Sequence, residues 1–234
     1  MINRLGFNNK GVDHLVRRVR KHRFKGILGI NIGKNFDTPI ENAADDYLHC
    51  LEKVYPWADY ITVNISSPNT KNLRELQSEG ELDNLLGKLG RRRKELSNEQ
   101  DRYVPLAVKV APDLEDDAIG VIADVISRHH MDAVIATNTT ISREGVQGMK
   151  HAEEAGGLSG APLKAKANKV LAALRKVLPD QVALIGVGGI TTGQDAVDKL
   201  NLGADLVQFY TGMIYRGPEL VSECLQAIAN HYSE

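Results

Sequence analysis

Six short, almost unbroken apolar runs recur along the chain: Ile27 to Gly33, Tyr60 to Ser66, Pro105 to Ala111, Ala133 to Thr139, Val182 to Gly188 and Leu206 to Tyr210. They are rich in β-branched residues and lack strict alternation, the pattern of strands buried on both faces of a parallel sheet. Between them the apolar residues shift to helical spacing, as in Leu82, Leu85, Leu86 and Leu89, or Ile119, Ile122, Ala123 and Ile126. Asp113 stands before one such segment as a candidate cap. Thr192 followed by Asp195 has capping-box spacing at another.

Strand and helix alternation fits either a doubly wound sheet or a (β/α)₈ barrel. The polar residues decide for the barrel. Nearly every run closes on a chemically active side chain or a glycine: Asn31, Asn64, Lys109, Thr137 with Asn138, Gly188 with Gly189, and Tyr210. A doubly wound sheet gathers its ligands at one switch point, whereas a barrel draws them from many strands around one mouth. The expected fold is therefore α/β, a barrel of the TIM type formed by one domain over residues 1–234. Six runs fall short of eight, and two strand–helix units of a barrel of ~250 residues amount to roughly 60 residues. Met1 to Asn9 reads as a mid-domain loop, so the expectation is an incomplete, N-terminally truncated barrel with about six parallel strands.

The bulk numbers add exclusions. Lys and Arg total 29 against 30 for Asp and Glu, which gives no nucleic-acid footprint. The basic cluster Arg91 to Lys94 reads as a solvated face at a helix C-terminus. Cys50 and Cys224 lie far apart on helical segments, as buried free thiols of a reducing compartment. No signal peptide follows Met1 and no apolar run approaches the ~18 residues of a membrane span, so this chain by itself reads as soluble and cytoplasmic.

Three features carry chemistry. In the first, the strand from Tyr60 stops at Pro68, which cannot donate to a ladder, and Asn64, Ser66, Ser67, Asn69 and Thr70 fan out past its end. Alone, the segment also reads as an Asx/Ser turn. The second is the glycine turn of Gly186 to Thr192. It is followed one strand later by Tyr210 and Thr211, and the pair matches the phosphate site of many barrels. The glycines also suit plain tight turns, and the spacing is not that of a dinucleotide fingerprint. The third is Lys109 between Val108 and Val110, which calls for an anion in the barrel mouth or else marks an edge strand. Asn3, Asn31, Asn64, Asn69 and Asn138 suit a planar ligand with alternating C=O and N–H groups. No histidine ends a strand, which argues against imidazole catalysis and a metal site and leaves Ser67 as the acid–base candidate, with Thr70 and a water as relay.

Together these residues resemble class 2, quinone-dependent dihydroorotate dehydrogenase. The motifs that carry the resemblance are Ile2 to Asn9, Gly29 to Lys34, Val63 to Thr70, Ala107 to Asp113, Ile135 to Thr140, Gly156 to Gly160, Gly186 to Ile190 and Gln208 to Thr211, which cover essentially the whole chain in one order. The resemblance implies a (β/α)₈ barrel with FMN in its mouth. Asn31, Asn64, Lys109 and Thr137 would contact the flavin, and Gly160, Gly189, Tyr210 and Thr211 would hold its phosphate. Asn3, Arg4, Leu5, Gly6 and Phe7, with Asn64, Asn69, Asn138 and Thr139, would line the pyrimidine. Ser67 would take the C5 proton of dihydroorotate as C6 gives hydride to the flavin, with Thr70 and Phe7 flanking the proton route. Class 1 enzymes are similar but carry cysteine as the base, so Ser67 points to class 2, with quinone as final acceptor and orotate as product of pyrimidine synthesis.

The family's peripheral attachment to the cytoplasmic side of the membrane rests on an N-terminal helical segment. That segment and the first two barrel strands, which bring a lysine for the orotate carboxylate, are not matched in this chain. The rival expectations are another FMN-dependent barrel oxidoreductase, or a non-catalytic remnant that binds FMN weakly or not at all.

Overall fold

The computed structural model of the chain describes residues 1–233. Among them one six-stranded sheet runs in the order β2 (Gly29–Ile32), β3 (Tyr60–Asn64), β4 (Leu106–Val110), β5 (Ala133–Ala136), β7 (Ala183–Val187) and β8 (Leu206–Gln208), with every pair parallel. Helices α1 (Val12–Val19), α2 (Ala43–Val54), α3 (Glu79–Gln100), α4 (Asp116–Arg128), α5 (Lys164–Val177), α6 (Gly193–Asn201), α7 (Thr211–Arg216) and α8 (Glu219–His231) alternate with the strands. All six expected strands are present, each two or three residues shorter than its apolar run.

The two faces of the sheet differ in chemistry. Ile30, Ile32, Ile61, Val63, Leu106, Val108, Val110 and Val134 face outward and join Leu51, Leu85, Leu86, Leu89, Ile122 and Ile126 of the helices in one core. The side chains between them point inward. Ala107, Ala133, Ile135 and Ile185 form a small apolar cluster there. Above it the register sets Asn64 beside Lys109, and Lys109 beside Ile135. The inner face is concave: Gln208 Nε2 on β8 donates to Tyr60 Oη on β3 at 3.1 Å. Four strand spacings separate these strands, about 19 Å if the sheet were flat, so the contact requires the sheet to curl like a barrel wall. β2 and β8 each have one neighbour, which makes them the edges of an open, incomplete barrel among the described residues.

Three sequence expectations are corrected. Met1 to Asn9 is not loop throughout, because β1 (Ile2–Asn3) pairs antiparallel with β6 (Gly157–Leu158). The Ser159 amide donates to the Met1 carbonyl at 2.9 Å and extends the pairing. Two residues per strand are too few to make an apolar run. The basic cluster is neither at a helix end nor simply solvated, since α3 runs on to Gln100. Arg93 is buried, pairs with Asp132, donates to the His130 carbonyl and stacks over the Tyr103 ring, while Arg92 is shared by Glu52, Glu95 and Glu99. Finally, Cys224 is buried but Cys50 is only half-buried, and both are free thiols. The capping box at Thr192 and Asp195 is formed. Among the described residues no helix is long and apolar enough to cross a membrane.

Candidate active site

The carboxyl end of β3 is the centre of the polar constellation. Asn64 is buried, and its carbonyl accepts from Tyr47 Oη at 2.7 Å. Burial pushes the Tyr47 phenol well above its ordinary pKa, so it remains a donor at neutral pH. Asn64 Oδ1 accepts from the Ser66 amide (3.2 Å), Ser66 Oγ (3.1 Å) and Asn138 Nδ2 (3.2 Å). Asn138 Nδ2 also reaches Ser66 Oγ at 3.1 Å. The ends of β3 and β5 are thereby tied through side-chain amides, which can donate and accept at once.

Past this knot, Ser67 is buried, and its Oγ accepts from the Asn69 amide at 3.2 Å. Thr70 Oγ1 is buried with no hydrogen-bond partner, the one such side-chain atom among the described residues. A buried hydroxyl without a partner is costly, and a bridging water relieves it. Asn69 Nδ2 donates to the Asn3 carbonyl (3.0 Å) and to Asn3 Oδ1 (3.3 Å), which brings β1 against the serine loop. Gly6 follows it there: a Cβ at this position would stand 3.1 Å from the Asn69 carbonyl oxygen. The Phe7 ring covers Gly33 at the end of β2. Two of the expected pyrimidine residues do not join this group by their side chains. The Arg4 guanidinium is held by Glu154 at 2.9 Å, and Leu5 is 60% exposed.

Lys109 projects from the concave face next to Asn64, and burial lowers its pKa. Its ammonium makes no hydrogen bond or ion pair with any described residue, which leaves a cation without an anion. Asn31 is on the same face of the edge strand β2 and is exposed, whereas Thr137 is buried and donates through Oγ1 to the Asn138 carbonyl at 3.1 Å.

The glycine turn and the following strand end lie against one another. A Cβ on Gly212 would stand 2.1 Å from the Ile190 carbonyl oxygen, and one on Gly160 would stand 3.2 Å from Thr211 Cγ2. Thr211 Oγ1 donates to Ser159 Oγ at 2.9 Å, while Tyr210 is 69% exposed. Gly188 and Gly189 have φ of 103° and 79°, left-handed conformations that glycine adopts without strain. The amides of Gly189 and Ile190 have no hydrogen-bond partner among the described residues.

Two charged groups escaped the sequence reading. Asp113 does not cap α4, whose N-cap is Glu115. Instead it accepts from Arg74 Nη1 (2.9 Å), Lys166 (3.0 Å), the Ile141 amide (3.1 Å) and the Thr140 hydroxyl. Burial alone would raise its pKa, but these hydrogen bonds outweigh burial and hold the carboxyl below its ordinary value. Arg74 also donates to the carbonyls of Ser66 (3.2 Å) and Thr139 (2.9 Å). The signal for Asp113 was its place right after Pro112 at a strand end. Arg74 had none, because its partners, the Asp113 carboxylate and two backbone carbonyls, are brought to it by the fold.

The chain as a whole matches known proteins. The family model for dihydroorotate dehydrogenase matches residues 1–231. The chain belongs to the dihydroorotate dehydrogenase family. It is 59% identical over 232 residues to the dihydroorotate dehydrogenase (quinone) of Ralstonia nicotianae, and 59% identical over 229 residues to that of Burkholderia pseudomallei. In both matches 98% of the chain and 67% of the relative are covered, so the chain spans about two thirds of the length of these proteins. Among solved structures, dihydroorotate dehydrogenase of Eimeria tenella in complex with ferulenol superposes with a TM-score of 0.91 at 37% identity, over 99% of this chain and 67% of that one. A ligand-free structure from the same organism gives a TM-score of 0.90 at 40% identity, over 98% of this chain and 68% of that one.

Proposed function

We propose that the chain carries the dihydroorotate-oxidising site of a quinone-linked dihydroorotate dehydrogenase of pyrimidine synthesis, with FMN as its cofactor. The observation that carries the reading is Ser67: a buried serine at a strand's carboxyl end, three residues from the unpartnered Thr70 hydroxyl, on a loop shared with Asn64 and Asn69. The relatives from Ralstonia nicotianae and Burkholderia pseudomallei, named as quinone enzymes, support it.

The residues present fit FMN. Lys109 offers an ammonium without an anionic partner on the concave face, and the free amides of Gly189 and Ile190 suit a phosphate. FMN, when bound, accepts the hydride that leaves C6 of dihydroorotate. Lys109 then places positive charge where negative charge develops on reduction. Asn64, Asn138 and Asn69 orient the pyrimidine through its C=O and N–H groups, with Asn3 holding Asn69 in place. Ser67 Oγ would take the C5 proton as its own hydroxyl proton leaves to a water at Thr70 Oγ1, and Phe7 would close this route from the side of β2. Gly160, Gly189, Tyr210 and Thr211 would hold the phosphate, and Asn31 and Thr137 would contact the flavin. On this reading quinone is the final acceptor and the cytoplasmic face of the membrane is the place of work.

The test is spectroscopic. The purified chain should be yellow, and dihydroorotate added without oxygen should bleach its flavin absorbance. A flavin-loaded chain whose absorbance dihydroorotate leaves unchanged contradicts the reading.

A further inference from the structure

The turn after β7 is held from behind by charge. Asp195, the third residue of α6, is buried. Its Oδ2 accepts from the amides of Thr191 (2.8 Å) and Thr192 (2.9 Å) and from Thr191 Oγ1 (2.9 Å), while Oδ1 receives the Lys164 ammonium. A capping box needs only the Thr192 exchange, which is complete with the Asp195 amide donating to Thr192 Oγ1 at 3.2 Å. The two bonds to Thr191 go further, into the turn whose amides at Gly189 and Ile190 have no partner among the described residues.

Lys164 closes the arrangement. It is the first residue of α5 and also reaches Asp198 at 2.8 Å. Its backbone forms the surface on which Gly189 rests, since a Cβ at Gly189 would stand 2.5 Å from Lys164 Cα. One carboxylate therefore fastens the far side of the turn to the helix that supports its near side. Charge alone makes this an odd choice beside a site for an anion, because Asp195 and Asp198 together outweigh Lys164. The geometry explains what the charge does not.

We propose that Asp195, held by Lys164, is a positioning residue that keeps the Gly188 to Thr192 turn in the shape that receives the cofactor's phosphate. This rests on the reading of that turn as the phosphate site of FMN. Desolvation would raise the Asp195 pKa, but Lys164 and the Thr191 and Thr192 donors bring it down to about 2, so the carboxylate is ionised throughout the working pH range.

The position is tested by comparing FMN with riboflavin, which lacks the phosphate, in equilibrium binding to the full chain. Asp195→Ala should lower the ratio of FMN to riboflavin affinity at least tenfold and leave riboflavin affinity within twofold. Lys164→Met should lower the ratio at least threefold, and it decides the matter if Asp195→Ala does not fold. An unchanged ratio overturns the proposal, and so does a raised one, which is what loss of a repelling charge alone would produce. A parent chain that binds both flavins equally overturns the phosphate reading and the proposal together, whereas a parent that prefers FMN beside a variant that prefers it as strongly overturns the proposal alone.

Discussion

Arg74 Nη1 lies 2.9 Å from Asp113 Oδ2, and through this pair the loops that follow β3, β4 and β5 are fastened to one another. The guanidinium also grips the carbonyls of Ser66 and Thr139, and the carboxylate grips Thr140, Ile141 and Lys166. Both side chains are mostly shielded from water, with exposures of 22% and 14%. Removing one member leaves the other's charge and two carbonyls short of partners. Breaking a fully buried pair costs about 3–5 kcal/mol, so Arg74→Ala in this partly shielded setting should cost about 2 kcal/mol and lower Tm by about 4–8 °C. Arg74→Lys should recover little, because a point charge cannot replace the planar fork. Thermal melts of both variants check this, and a lysine variant as stable as the parent would count against it.

Lys109 should set the flavin's redox poise. An ammonium that stabilises the reduced, anionic cofactor raises its potential, so Lys109→Met should lower the two-electron midpoint by at least about 30 mV, equivalent to ~1.4 kcal/mol. Spectroelectrochemical titration of the FMN-loaded chain measures this. A midpoint that stays level or rises would remove Lys109 from the flavin.

Lys199 predicts a pH effect on stability. It is buried, and its one hydrogen bond goes to Asn168 Oδ1 at 2.7 Å. Burial, with Lys164 nearby, lowers its pKa from 10.5 to about 8. Across that window the unfolded chain holds a proton that the folded chain has released, so this group makes stability rise with pH from about 8 to about 10.5. Below pH 8 the folded state bears the full cost of a buried ammonium. Lys199→Met should abolish the rise and increase Tm at pH 7 by about 2–4 °C for each ~1 kcal/mol recovered. Melts at pH 7 and pH 9.5 test it, with a methionine variant less stable at pH 7 as the contrary result.

The same sign holds for Asp195, in the acid range. Its pKa is depressed from 3.8 to about 2, so its contribution is complete above pH 3.8 and is lost as pH falls towards 2. Asp195→Asn should flatten the acid limb of the stability profile between those values. An acid limb identical to the parent's would mean that the carboxylate is not stabilised by its donors.

The strand pattern was legible because burial on both faces writes continuous apolar runs, and the strand-end residues were legible because polar side chains are out of place there. Asn64, Ser67 and Lys109 stood out in that way, and Gly189 by its place in a glycine turn. What the pattern missed is held by pairing rather than by periodicity. Ile2 and Asn3 form a strand too short to announce itself, Arg93 is buried by a partner 39 residues away, and Arg74 acts on backbone carbonyls that any sequence would supply. Asp113 was visible but misread, since an acidic residue ahead of a helix satisfies a cap and a salt-bridge hub equally well. Arg4 was placed with the pyrimidine by its neighbours in sequence, yet its side chain goes to Glu154.

The proposed removal of the substrate proton by Ser67 is tested most directly by anaerobic stopped-flow reduction of the FMN-loaded chain by dihydroorotate. Ser67→Ala should slow flavin reduction by about 10²–10⁴-fold, the usual worth of a general base, while FMN affinity stays as in the parent. A Ser67→Ala chain that reduces its flavin as fast as the parent contradicts the assignment.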